Sequence, residues 1–287
     1  MENSQSLEER VGSALETLSP KHKHMARFVL GNRYFMSFVS ASQAGKKNGT
    51  SAATVVRFAQ ALGYEGYSEL QEALRAELPS YITAVTRMQK RMHAEKPPAS
   101  TPQEVFYTDI KNIEQTASSL PEENLNAALD AIQKARRILV IGAGLSTAPA
   151  IFLSHSLKVM GFDVLGVQGE GLQAAVDLAR LRSDDLMIAI DLWRYVRMTV
   201  NAASQAKEAG TPIIVITDSI VSPLTQMADI AFEIATEGVA HSLSITAVMS
   251  LLNVIVAMLA DRVPEQVFEA LQRVDVLYRG NELLIMK

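Results

Sequence analysis

From Arg137 onward, short unbroken apolar runs alternate with helical patterns, and this constrains the fold more than any other feature of the chain. Ile138–Ile141, Phe162–Val167, Leu186–Ile190, Ile213–Ile216 and Ile230–Ile234 have the length of strands and are bounded by Gly, Pro or Asp. Helical stretches separate and follow them, at about 146–160, 171–182, 195–209, 223–228 and 241–261. A strand that is apolar at every position buries both faces, the condition of a parallel sheet covered by helices on each side. The expectation is an α/β domain with a five-stranded, doubly wound parallel sheet, whose ligands bind at the carboxyl ends of its strands.

The residues before it read as short capped helices. Ser6-Leu-Glu-Glu9 is a capping box that opens a helix running to about Leu18. Ser19 caps a second, with Pro20 in its first position, Met25, Phe28 and Val29 facing inward and Gly31 as the stop. Ser40 caps a third through about Lys46, and Asn48-Gly49 makes a turn. Thr50–Gly63 then forms a helix that buries Val55, Phe58, Ala59 and Leu62 and turns Ala52, Ala53, Thr54, Arg57 and Gln60 outward. Helix, tight turn, helix is the unit that presents its second helix to the major groove of DNA, and an ordinary helical hairpin with solvated charges has the same pattern. Further helices are expected from Ser68 to Pro79 and from Ser80 to His93. Glu95–Pro102 carries three prolines among small polar residues and reads as a linker. Amphipathic helices over 103–119 and 121–135 lead to the sheet. The expected division is an all-α helix-turn-helix domain over 1–80, connecting helices and linker over 81–120, and the α/β domain over 121–287.

Charge follows the same division. Residues 1–96 hold 13 Lys and Arg against 9 Asp and Glu, whereas 97–287 hold 14 against 22, the asymmetry expected if only the first part meets phosphates. The absence of cysteine excludes disulfides, thiolate zinc sites and a cysteine nucleophile. The first ten residues contain no secretory apolar run, so the cytoplasm is the expected compartment. Leu243–Ala260 is uncharged and approaches the roughly 20 residues that span a bilayer. Its Ser244, Thr246, Ser250 and Asn253, and the lack of a basic flank, favour a buried helix, with no membrane partner.

Two groups of residues carry the chemistry. In the helix-turn-helix, Lys46, Lys47 and Arg57 and the amides at the Ser51 end are suited to phosphates, and Ala52, Ala53 and Thr54 to base edges. Gly142-Ala-Gly-Leu-Ser-Thr147 follows a strand and opens a helix, so Gly144, Ser146 and Thr147 can cradle an anion at the helix's positive end. Thr147, and the Val167-Gln168-Gly169 strand end without an acid, disfavour a dinucleotide and leave a phosphosugar fold or a turn needed only for packing. Asp191-Leu-Trp-Arg-Tyr-Val-Arg197 sits at the next strand end. Arg194 and Arg197 suit an anion clamp, Trp193 either a stacking platform or a plug. Asp218, Glu237 and His241 complete the candidate ligand set. No carboxylate pair, Ser/His/Asp set or metal-spaced histidine cluster points to catalysis, a cofactor or a metal.

Read together, Leu18-Ser-Pro20, Ser51-Ala-Ala-Thr-Val-Val-Arg-Phe58, Leu62-Gly-Tyr64, Tyr67-Ser-Glu-Leu70, Ile141-Gly-Ala-Gly-Leu-Ser146 and Ile216-Thr-Asp218 resemble the RpiR (MurR/RpiR) family of bacterial transcriptional regulators. The resemblance implies a helix-turn-helix domain joined to a sugar-isomerase-type (SIS) domain. It also implies an operator-binding homodimer or homotetramer that senses a small molecule, commonly a sugar phosphate, without catalysing a reaction. A sugar-phosphate isomerase with an appended helical domain is the alternative. One place departs from the family: its Ser-x-Ser-Gly-x-Thr phosphate loop would fall at Ile190–Val196, where Asp, Trp and Tyr crowd and repel a phosphate. The effector expected here is therefore a different small anion, or the crevice is shut.

Overall fold

The computed structural model describes residues 7–77, 84–93, 101–167, 172–193, 195–219 and 222–280. Ser6, Gln168, Gly169, Arg194 and most of the linker expected at 95–102 lie outside these residues. The chain divides into two compact units, 1–83 and 84–287.

The first unit is helical: α1 (Leu7–Ala14), α2 (Pro20–Gly31), α3 (Arg33–Phe38), α4 (Ala41–Lys47), α5 (Ala52–Ala61) and α6 (Tyr67–Glu77). Its core joins Leu7 and Val11 of α1, Met25 and Val29 of α2, Met36 of α3, Val55 and Phe58 of α5, and Leu70 and Leu74 of α6. The caps are local and match the residue types. Ser19 accepts from the His22 amide, and Ser40 forms a full capping box with Gln43. Phe28, expected inward, is only half-buried, in edge-to-face contact with Phe35. The carbonyls at the end of α3 are satisfied from α6: Tyr67 Oη donates to Met36 O at 2.8 Å and Gln71 Nε2 to Val39 O at 2.7 Å. Burial pushes the Tyr67 phenol far above its usual range, so it stays a donor.

The second unit holds α7 (Ala84–Met92), α8 (Pro102–Ser119) and α9 (Glu122–Lys134), then β1 (Ile138–Gly142), α10 (Thr147–Val159), β2 (Val164–Val167), α11 (Leu172–Leu178), β3 (Leu186–Asp191), α12 (Arg197–Glu208), β4 (Ile213–Thr217), β5 (Ile230–Glu233), α13 (Thr246–Arg262) and α14 (Pro264–Gly280). All five strands are parallel, in the order β2-β1-β3-β4-β5. Alternate residues of the central strands enter two separate cores. Ile138, Val140, Ile188 and Ile214 pack with α9, α10 and α13; Leu139, Ile141, Met187 and Val215 pack with α11 and α12. The long apolar stretch is a core helix, with Val248, Leu252, Ile255 and Leu259 buried in α13. Among the described residues no single helix is long and apolar enough to cross a membrane.

The helix expected at 223–228 does not form. Consecutive turns occupy 223–227, where Ser222 Oγ accepts the Leu224 amide and Ser222 O accepts both the amide and the hydroxyl of Thr225, so a helical ladder does not start at Ser222. The stretch expected as helix from 241 begins only at Thr246. In this strand order the connections reverse direction between β1 and β3, which places a crevice at their carboxyl ends.

Candidate nucleic-acid interface and ligand crevice

In the first unit, α4 and α5 approach so closely that a Cβ on Gly45 would lie 2.7 Å from Thr50 O and 2.9 Å from Ser51 C. Gly45 O accepts the Thr50 amide at 2.7 Å, and Gly49 takes a φ of 67° to complete the turn, a conformation glycine adopts without a Cβ penalty. Ser51 then caps α5, accepting from the Thr54 amide at 3.2 Å. Val55, Phe58, Ala59 and Leu62 are buried as expected; Ser51, Ala53, Arg57 and Gln60 are exposed, with Ala52 and Thr54 half-buried. Arg57 Nε donates to Ala53 O of its own helix at 3.3 Å. Lys46 is exposed, and Lys47 Nζ lies 4.0 Å from the centroid of the Phe35 ring.

Sequence reasoning missed one wall of this surface. Two adjoining grooves are lined by Lys21, His24 and Arg27 of α2 together with Lys47, Asn48, Gly49, Ser51 and Thr54. Lys21, His24 and Arg27 recur every third residue, so they share a helical face, and all three are exposed. The spacing was legible; that this face adjoins the α4–α5 turn depends on packing between helices.

In the second unit, the turn after β1 is tight. A Cβ on Gly142 would lie 2.5 Å from Ser146 O, and Gly144, exposed, takes a φ of 59°. Ser146 is fully buried, and its Oγ accepts the Leu192 amide at 3.0 Å, tying the turn to the β3–α12 loop. Thr147 Oγ1 donates to Gly142 O at 3.4 Å. Pro149, third in α10, removes one of the amides that would otherwise face an anion.

The β3–α12 loop is bound into a carboxylate network. Asp191 is fully buried; Oδ2 accepts the Val196 amide at 3.1 Å, while Oδ1 has no hydrogen-bond partner. Asp218, at the end of β4, accepts the Trp193 amide at 3.0 Å and the Tyr195 hydroxyl at 3.3 Å. Burial, and for Asp191 also the neighbouring Asp218, raises both carboxyls above their usual range. Burial and Asp218 hold the Tyr195 phenol protonated. Trp193, half-exposed, has a φ of 69°, a left-handed conformation that a bulky residue holds only under constraint from its surroundings. Arg197 is exposed at the first position of α12. The structure thus joins Ser146, Asp191 and Asp218 through one loop, around Trp193 and Tyr195.

Glu237 and His241 belong to the β5–α13 segment and are both exposed. This segment is fastened to α8. Asn112 Nδ2 donates to Glu237 O at 2.8 Å, Asn112 Oδ1 accepts its amide, and Asp109 accepts from the hydroxyls of Ser244 and Thr246. The Glu237 carboxylate lies 3.8 Å from Lys111 Nζ.

Comparison with known proteins agrees with both halves. Residues 5–80 match the model of the helix-turn-helix domain of the rpiR family, and 131–259 that of the SIS domain. The sugar isomerase domain of an RpiR transcription factor from Sphaerobacter thermophilus is 40% identical, spans 62% of this chain and 99% of that one, and superposes with a TM-score of 0.60. The chain belongs to the RpiR family of transcriptional regulators. An HTH-type transcriptional regulator of Haemophilus influenzae is 28% identical over 224 residues, covering 77% of this regulator and 76% of that one. The Vibrio vulnificus NanR protein, solved in complex with ManNAc-6P, shares the fold over 98% of the regulator and all of its own length, at 22% identity and a TM-score of 0.65.

Proposed function

We propose that this regulator is a repressor that binds a palindromic operator as a homodimer or homotetramer, and that a small anionic effector other than a sugar phosphate releases it. The observation that carries the DNA half is the capped, outward face of α5. Ser51, Ala53 and Arg57 stand exposed beside the α2 row Lys21, His24 and Arg27, so one surface offers a reading helix and flanking cations. Ala52, Thr54, Lys46 and Lys47 belong to the same interface.

Assembly is supported by apolar side chains left exposed on helices of the second unit. Phe106, Tyr107 and Ile110 of α8 and Phe268, Val276 and Leu277 of α14 are each more than half exposed. In the crevice, Gly144, Thr147 and Arg197 remain candidates for the effector, with Glu237 and His241 on the adjoining segment. Asp191, Asp218 and Ser146 act through the loop they hold. Against a phosphate stand the buried Asp191, where the family carries a hydroxyl-rich loop, and the engagement of the Leu192, Trp193 and Val196 amides by side chains, although NanR, of the same fold, was solved with a sugar phosphate. The same network disfavours isomerase activity: Asp191, Asp218 and Tyr195 are engaged with the loop itself, leaving no free acid-base pair among them.

The test is selection of duplexes by the full chain from a random pool. Convergence on a palindrome with half-sites about one helical turn apart supports the proposal; a pool that never converges overturns it.

A further inference from the structure

We propose that α7, the first described helix after the DNA-binding unit, supplies the cation of the effector crevice: Arg87, set against Trp193, clamps a small monocarboxylate with a planar or apolar body. This rests on the reading of the crevice as an effector site and names its ligand class and an additional binding residue.

The helix is seated by two arginines one turn apart. Arg91 Nη1 donates to Val239 O at 2.6 Å, on the β5–α13 segment. The Arg87 guanidinium lies 5.8 Å from the centroid of the Trp193 ring, on the β3–α12 loop. Thus α7 touches two of the segments that follow the carboxyl ends of the strands. Arg87 Nε is buried without a hydrogen-bond partner. Guanidinium is a rigid fork of donors, and leaving one desolvated and unsatisfied is unfavourable unless an acceptor arrives. A carboxylate matches that fork with two parallel bonds.

The indole is placed deliberately. Trp193 keeps its left-handed φ because Asp218 accepts its amide and Ser146 accepts the amide before it. The strain is spent in presenting a ring beside the guanidinium, where a flat or apolar body can stack. The loop selects among anions through its amides. Those of Leu192, Trp193 and Val196, which could otherwise gather round a phosphate, are already accepted by Ser146, Asp218 and Asp191, whereas a carboxylate needs only the guanidinium fork. The β1–α10 turn compensates little, since Ser146 Oγ is engaged and Pro149 lacks an amide proton.

Trp193 is the single tryptophan of the chain, so emission at 295 nm excitation reports this site alone. The full chain is titrated with benzoate, phenylacetate, glucose 6-phosphate and inorganic phosphate, with Arg87→Met and Arg87→Lys in parallel. Expected is a saturable change with benzoate or phenylacetate, weakened roughly tenfold or more in Arg87→Met and by less in Arg87→Lys. Both phosphates should give no saturable response. A saturable response to glucose 6-phosphate alone, an unchanged carboxylate affinity in Arg87→Met, or no saturable response to either carboxylate each overturns the proposal. Operator selection is read separately, so DNA recognition can stand while this assignment fails. A merely structural Arg87 would alter emission without ligand and leave carboxylate affinity in place.

Discussion

Gly45→Ala isolates the contact that fixes the angle between α4 and α5. The added methyl would sit 2.7 Å from Thr50 O and 2.9 Å from Ser51 C. Both are backbone atoms of the turn, so no side chain can swing away. Overpacking of this kind costs about 1–3 kcal/mol. Alanine in place of glycine within a helix offsets roughly 0.5–1 kcal/mol of that. The control is Gly12→Ala, at the same distance from the end of α1 but with nothing within 4 Å of its Cβ. The helix contribution is common to both, so their difference is the clash, about 1–3 kcal/mol. In thermal unfolding of the full chain, Gly12→Ala should raise the helical unit's transition, and Gly45→Ala should fall several degrees below it. Binding to a selected duplex, followed by anisotropy at fixed salt, should weaken in Gly45→Ala and stay unchanged in Gly12→Ala. If Gly45→Ala melts with Gly12→Ala and binds equally well, the close crossing does not set the recognition geometry.

Arg57→Ala and Lys47→Ala should each weaken binding to the selected duplex and reduce the slope of log affinity against log salt by about one, as expected for a lost phosphate contact; unchanged slopes remove both from the interface. Asp191→Asn should alter the pH dependence of stability. A carboxyl raised in the folded state binds its proton more tightly there, so stability is full below the ordinary carboxylate pKa and declines as pH rises through the elevated one. Unfolding followed from pH 5 to 9 should show a decline for wild type that is shallower in Asp191→Asn; identical profiles would show that Asp191 ionises without penalty. Asp109→Ala removes the acceptor for Ser244 and Thr246, and α13 has no side-chain cap of its own. Loss of hydrogen bonds to a charged group should cost about 1.5–3 kcal/mol in denaturant unfolding; a loss below about 0.5 kcal/mol would show the clamp to be solvent-exchangeable.

The strands were legible because Ile138–Ile141, Leu186–Ile190 and Ile213–Ile216 are apolar at every position, a pattern only a doubly covered sheet accommodates. Short helices were legible through their caps, which are local: Ser19, Ser40 and Ser51 each accept the amide three residues on. Ser222 and Thr225 carried the opposite local signal, and their hydroxyls made turns where a helix was expected. α14 was not anticipated, since Phe268, Val276 and Leu277 are exposed on it and blur its inward stripe. In the crevice, the replacement of the phosphate loop was visible in the residues themselves. The pairing of Asp218 with Trp193 and Tyr195, and the seating of Arg87 and Arg91, join segments far apart in sequence and have no local signature.

The most direct measurement is competition between a selected duplex and its scrambled counterpart for the full chain at about 0.15 M salt. A preference of roughly 10³-fold or more for the selected duplex is expected, falling sharply when the exposed face of α5 is altered at Arg57 and Ala53 together. Equal affinity for both duplexes, or a preference untouched by those substitutions, would contradict DNA reading by this helix.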